Sequence, residues 1–223
     1  MLRYPSVRAL LFDLGNVLLR VDFEKAFDAW SAHSALSRAQ LREAFQADLA
    51  YRQHECGKIG RDEYFNHLRR TLRLHASDDE IEAGWNAILL EEMTQTLDLL
   101  TGLRGQMPLY VFSNSNATHK AVWTVRFPRI MRTFNDVFVS CDLGLRKPEL
   151  EAYLEVARRI GLAPHSILFF DDLAENVEGA LRAGMHAVHV RSAADIDIAI
   201  KGCIAEARSL DALPDASDID ASH

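Results

Sequence analysis

Cysteine is scarce and badly placed for cross-linking. Cys56, Cys141 and Cys203 lie far apart and are odd in number, which fits neither a disulfide framework nor a zinc-ligand spacing. They read as reduced thiols of a cytoplasmic protein. Long apolar runs are also missing. No stretch reaches the roughly eighteen apolar residues that a membrane-spanning helix needs, so no membrane partner is expected. Asp13 cuts short the apolar stretch that follows Arg3 and Arg8, which makes a poor secretory signal. There is no long block of like charge and no internal repeat. Acidic residues outnumber basic ones by 32 to 25, a net charge of −7, which argues against a general binder of nucleic acid. What is left is an ordinary globular composition, 48% hydrophobic and 26% charged, in 223 residues. That length suits one large domain, or a core domain with a smaller one inserted.

Five short runs read as strands buried on both faces. They are Val7–Phe12, Leu109–Phe112, Val137–Val139, Ile167–Phe170 and Ala187–Val190. Helical patterns separate the last four; Leu150–Ile160 stops at Gly161 and Val177–Ala183 stops at Gly184. Strands alternating with helices predict an α/β fold with a parallel, doubly wound sheet. Between Phe23 and about Leu90 the character changes. No strand is evident there, and Phe23–Ala32, Arg38–Ala47 and Arg61–Leu74 carry helical spacing. Ser77–Glu80, "SDDE", reads as a capping box opening another helix. This stretch is expected to be a helical insertion after the first strand. From Leu210 the chain is acidic and polar, and a frayed tail is expected over residues 210–223.

Three of the expected strands end in polar residues: Asp13, then Ser113–Asn114, then Asp171–Asp172. An open parallel sheet binds ligands outside the carboxyl ends of its strands, so the fold gathers these residues at one edge. Carboxylates brought together repel. A hard divalent cation such as Mg²⁺ offsets the repulsion with oxygen ligation, and a lysine helps. Lys147, in the loop Arg146–Lys147–Pro148, is the candidate. The parts resemble a phosphoryl-transfer site. Asp13 is the expected nucleophile and Asp172 the expected metal holder. Asn176 lies one helical turn on and supports the metal. Ser113, Asn114 and the backbone beyond them are expected to hold phosphate oxygens. Lys147 is expected to neutralise charge on Asp13 and the transferring group.

These stretches resemble the four motifs of the haloacid dehalogenase-like superfamily: "FDLGNV" the first, Ser113 in "VFSNSN" the second, Lys147 in "LRKPE" the third, "DDLAEN" the fourth. Within it, the wording of "QHECGKI", "SNSNATH" and "FFDDLAENVEGA" is similar to bacterial α-D-glucose-1-phosphate phosphatases. The resemblance implies a Mg²⁺-dependent phosphatase of a small phosphorylated metabolite. It also implies a core of residues 1–20 and 91–209 and a helical cap of residues 21–90. Most phosphatases of the superfamily carry an Asp two residues after the nucleophile, as general acid. Here Gly15 stands there, and its backbone carbonyl keeps only the metal-ligating part of that role. His119 and Asp22 are the candidates to supply the proton. In the cap, "QHECG" (Gln53–Gly57) points to substrate contact by His54 or its neighbour Glu55. A metal-independent 2-haloacid dehalogenase and a catalytically weak phosphate-binding module are the competing expectations.

Overall fold

The computed structural model describes Tyr4 and residues 6–211; the expected tail falls almost wholly outside them. The described strands are β1 (Ala9–Phe12), β2 (Leu19–Val21), β3 (Leu89–Glu92), β4 (Leu109–Ser113), β5 (Asp136–Val139), β6 (Ile167–Asp171) and β7 (His186–His189). Five of them form one parallel sheet in the order β5-β4-β1-β6-β7. β1 sits at its centre and is buried along its whole length, which is why it reads as a continuous apolar run rather than an alternation. Its side chains divide by the period of two that a strand imposes. Leu10 and Phe12 join Leu168, Phe170 and Val111 on one face, whereas Leu11 joins Phe112, Ile167 and Phe169 on the other. β7 departs from the expectation of burial on both faces. All four of its residues are only half-buried, because β6 alone flanks it.

Helices cover both faces. α1 (Glu24–Trp30), α2 (Arg38–Ala44), α3 (Leu49–Glu55), α4 (Arg61–Thr71) and α5 (Asp78–Asn86) fall between β2 and β3. α6 (Thr94–Thr101), α7 (Ala117–Arg126), α8 (Pro128–Thr133), α9 (Ser140–Leu143), α10 (Leu150–Ile160), α11 (Ala174–Arg182) and α12 (Ala193–Asp211) belong with the sheet. Ser77 and Glu80 make the expected capping box at the start of α5, a contribution of about 1 kcal/mol. Gly161 ends α10 at φ 79°, a conformation that a side chain disfavours.

The inserted helices pack around stacked Trp30 and Trp85 rings, 6.1 Å apart. α1 reaches α5 closely because Gly84 lies under the Trp30 indole; a Cβ there would come within 2.2 Å of Nε1. β2 and β3, where no strand was expected, pair antiparallel at the two ends of the insertion. Each is too short to show an alternation. α3 extends through Glu55, and the chain turns at Gly57, with φ +64°.

Candidate active site

The carboxyl ends of β1, β4 and β6 meet at one edge of the sheet, as a parallel topology requires. Lys147 reaches that edge from the loop before α10 and is buried, 1% exposed. Its Nζ donates to Asp13 Oδ1 at 2.5 Å and to Asp171 Oδ2 at 2.7 Å. The ammonium also lies 5.3 Å from the centroid of the Phe112 ring and 5.2 Å from that of Phe169. These rings shield it from water and add a cation–π attraction.

Asp171 is fully committed. Oδ1 accepts from Leu173 N at 2.9 Å, and Asn176 Nδ2 donates to both carboxylate oxygens at 3.0 and 3.1 Å. Asn176 therefore meets the site as a donor to Asp171, and the structure does not bring it to the cluster as an oxygen ligand. Its buried Oδ1 has no hydrogen-bond partner. Turning the amide over would set that oxygen against two carboxylate oxygens, so the orientation holds. Asp171 orients Lys147; Asp172, expected as a metal holder, lies half-exposed beside it and accepts from Asn16 Nδ2 at 3.4 Å.

Oxygens of Asp13, Asp171 and Asp172 all lie within 4.8 Å of one another. Three carboxylates face one ammonium, so ionising all three leaves two excess negative charges at the sheet edge. Burial pushes the Asp13 carboxyl up to about 7; Lys147 opposes the shift, and Asp171 and Asp172 reinforce it. Burial, then Asp171, also raises Asp172. For Lys147, burial favours the neutral amine, but the two carboxylates outweigh it and hold the ammonium charged. Such a donor set fits a hard divalent cation, with Asp13 and Asp172 the carboxylates that keep free acceptor sites. Gly15 lies beside them on the cavity wall. A Cβ there would meet Val21 at 3.6 Å and Asp13 Oδ2 at 3.7 Å, which is ordinary contact, so packing does not demand the glycine.

The edge opens into a cavity of about 350 Å³ lined by Asp13, Gly15, Ser113, Asn114, Lys147, Asp172 and Asn176. Asn114, expected at the phosphate, spends its amide on another task. Oδ1 accepts from Lys147 N at 2.9 Å and Nδ2 donates to Lys147 O at 3.0 Å. Both groups of the Lys147 peptide are thus clamped, and the ammonium is aimed.

The opposite wall comes from the insertion. His54, expected to touch substrate, is outside this lining. It is buried, stacked on Tyr64 at 4.4 Å, with Nδ1 3.3 Å from Ile59 O. Glu55, one residue on, faces the cavity together with Tyr51, four residues earlier on the same side of α3. Arg146 Nε donates to Glu55 Oε2 at 2.9 Å. Of the two expected contacts in "QHECG", Glu55 lines the cavity and His54 does not; Tyr51 and Arg146 line it without having been expected to. The available signal was the four-residue spacing of Tyr51 and Glu55, visible once Leu49–Glu55 is taken as helix.

His119 lines the cavity but cannot act as an acid near neutrality. Its Nε2–H donates to Trp85 O at 3.0 Å and its Nδ1 accepts from Asn116 Nδ2 at 3.1 Å. A carbonyl only accepts, which settles the tautomer. Burial lowers its pKa to about 4. Asp22, the other candidate, is outside the cavity lining and accepts from Glu24 N at 3.0 Å.

Residues 7–184 match the family model for the haloacid dehalogenase-like hydrolases. Flavin mononucleotide hydrolase 1 of Arabidopsis thaliana is 46% identical over 191 residues, covering 82% of this chain and 72% of that protein. A D-ribitol-5-phosphate phosphatase of Bacteroides thetaiotaomicron is 23% identical over 195 residues, covering 85% and 94%. A haloacid dehalogenase family enzyme of Bacteroides thetaiotaomicron, solved with magnesium and inorganic phosphate, superposes with a TM-score of 0.72 at 30% identity. It covers 82% of this chain and 93% of its own. The matched span takes in every residue at the sheet edge, from Asp13 to Asn176, and phosphatases stand among the relatives: the chain is an enzyme of the haloacid dehalogenase-like hydrolase family.

Proposed function

We propose that this protein is a Mg²⁺-dependent phosphatase of a small phosphorylated metabolite, most specifically a sugar 1-phosphate such as glucose 1-phosphate. The observation that carries the reading is the single Lys147 ammonium shared by Asp13 and Asp171 at the floor of the cavity. Lys147 fixes Asp13 Oδ1 and leaves Oδ2 as the nucleophile. Asp13 attacks phosphorus in line, the bond from phosphorus to the leaving oxygen breaks, that oxygen takes its proton from water, and an aspartyl-phosphate forms. Water then hydrolyses it and restores the carboxylate. Ser113 and the backbone after β4 hold phosphate oxygens. Asp13, Asp172 and the Gly15 carbonyl hold the cation, whose charge balances the carboxylates and the phosphate. The insertion, residues 21–90, acts as the cap that keeps water from the cavity.

A volume of about 350 Å³ is at the low end of small-molecule sites, which supports a small substrate. The missing acid at Gly15 and the neutral His119 favour a leaving oxygen that needs little protonation, and an anomeric oxygen is of that kind. The similar ribitol-5-phosphate phosphatase acts on the phosphate of a primary alcohol, which makes polyol phosphates the natural competitors. The metal-independent dehalogenase reading leaves the two excess negative charges without a purpose.

A panel of sugar and polyol phosphates, assayed with and without Mg²⁺, tests the reading. Beryllium fluoride should bind the wild type and not Asp13→Asn. Full hydrolysis in chelator after exhaustive dialysis would remove the metal from the reading. A series of aryl phosphates tests the leaving-group argument: the phosphorylation rate should rise steeply with leaving-group acidity, and Gly15→Asp should flatten that slope. A shallow wild-type slope would mean that another residue supplies the proton.

A further inference from the structure

The insertion side of the cavity carries one buried carboxylate whose position is not explained by holding the insertion down. Glu55 is 5% exposed and faces the same cavity as Asp13 and Lys147. The end of α3 is already fastened to α9 through its main chain. Ser140 Oγ donates to Glu55 O at 2.7 Å. The Gly57 backbone lies so close to Cys141 that a Cβ would fall 2.6 Å from its carbonyl oxygen. The Glu55 side chain is therefore available for another purpose.

Its surroundings define what it can bind. Arg146 Nε takes Oε2 at 2.9 Å, and the Tyr51 hydroxyl lies beside the same carboxyl. A carboxylate offers about four acceptor sites, so acceptor capacity remains. Arg146 cancels the charge of Glu55, so this half of the cavity presents no net charge. The rest of the lining that the insertion supplies is apolar: Val21, Phe23, Ala47, Ile88 and Leu89. An apolar wall with one hydrogen-bond acceptor suits an uncharged molecule that has C–H faces and donates hydroxyl groups. Among the described residues, the cation on this side, Arg146, is already paired with Glu55, which disfavours a second phosphate or a carboxylate.

Building on the phosphatase reading, we propose that Glu55, aided by Tyr51, is the specificity-determining residue. It accepts hydrogen bonds from hydroxyl groups of a neutral sugar or polyol leaving group whose phosphate lies at Asp13.

The test compares kcat/KM, with Mg²⁺ present, for the best sugar or polyol phosphate of the panel, its monodeoxy analogues and phenyl phosphate, which has no hydroxyl to donate. In Glu55→Gln the ratio of the hydroxylated substrate to phenyl phosphate should fall about tenfold to a hundredfold, the range for a hydrogen bond to a charged acceptor. Tyr51→Phe should lower the same ratio by less. One monodeoxy analogue should lose a similar factor with the wild type and lose little more with Glu55→Gln. Equal losses on both substrates would make Glu55 a structural tie and overturn the proposal, as would an unchanged ratio. If Glu55→Gln does not fold, the wild-type deoxy series decides: hydrolysis of every monodeoxy analogue at the parent rate overturns it. A wild type that hydrolyses no phosphomonoester, phenyl phosphate included, would instead sink the phosphatase reading and the subsite with it.

Discussion

Arg146 and Lys147 are neighbours in one loop, yet they serve opposite halves of the cavity in opposite ways. Lys147 turns to the sheet edge and meets more negative charge than it can balance: Asp13 and Asp171 in contact, with Asp172 beside them. Arg146 turns to the insertion and meets one carboxylate, Glu55, which it balances. Burial raises the Asp13 pKa to about 7, with Asp171 and Asp172 adding to the shift against Lys147. The unbalanced half stores electrostatic energy that a cation can release. In the balanced half Arg146 opposes the upward push that burial gives the Glu55 carboxyl, and the pair offers directional hydrogen bonding. On the proposed reading, the charge excess lies where the chemistry is done and the charge balance where a neutral group is recognised.

The largest effect should come from breaking the sheet half at its nucleophile. Asp13→Asn should lower kcat by about 10⁴-fold or more, as loss of a covalent catalytic group does. A variant retaining a tenth of wild-type activity would refute the role. The same substitution should raise the melting temperature of divalent-free protein at pH 8. A carboxyl whose folded pKa is raised stabilises fully below its unfolded pKa of 3.8 and loses that stability as pH rises through about 7. The amide has nothing to lose.

Lys147→Met comes next. It strands buried carboxylates, which should cost about 3–5 kcal/mol at neutral pH, read by urea unfolding without divalent ions. Adding Asp171→Asn should recover part of the loss. Stability equal to the wild type would mean that the charge excess is not felt. The Arg146→Gln counterpart breaks a balanced pair, and its cost should not respond to Mg²⁺, whereas that of Lys147→Met should.

His119, between the two halves, should impose a pH dependence of its own. Its folded pKa, about 4, lies below the ordinary 6.5. The unfolded chain therefore takes up the proton first as pH falls. Stability is full above pH 6.5 and drops by about 3 kcal/mol by pH 4. In His119→Gln the pH slope over that window should be smaller, whatever its absolute stability. An unaltered slope would place the titration elsewhere.

The smallest expected effect is that of Asn114→Ala, which unclamps the Lys147 peptide. Two hydrogen bonds at about 0.5–1.5 kcal/mol each should appear as a fall of roughly tenfold to a hundredfold in kcat with KM little moved. A rise in KM at constant kcat would return Asn114 to direct substrate binding.

The sheet half of the site was legible because its residues end strands. Asp13, Ser113, Lys147 and Asp172 follow apolar runs or sit in a loop beside Pro148, and parallel topology collects strand ends. What stayed hidden depends on angles that no spacing encodes. "DD" does not reveal that Asp171 turns inward to Lys147 while Asp172 stays half-exposed. His54 and Glu55 differ by about 100° around α3, and only the packing of Tyr64 against the His54 ring decides which faces the cavity. Asn114 looks like a phosphate ligand until the amide is seen pairing with a peptide. β2 and β3 escaped for a different reason. Their sequences, LRV and LLEE, carry charged residues and form no apolar run, unlike β1, which is equally short.

That short ribbon matters for how the molecule is joined. Leu19 pairs with Glu92 and Val21 with Leu89, so the chain leaves for the helical insertion and returns from it one strand spacing apart, roughly 5 Å. To the sheet, everything between Val21 and Leu89 is equivalent to the turn of a hairpin. The length and content of that turn are decoupled from the register of β1 against β4 and β6. On the proposed reading, a change of specificity belongs in the stretch between Val21 and Leu89, which takes no part in the pairing of β1 with β4 and β6.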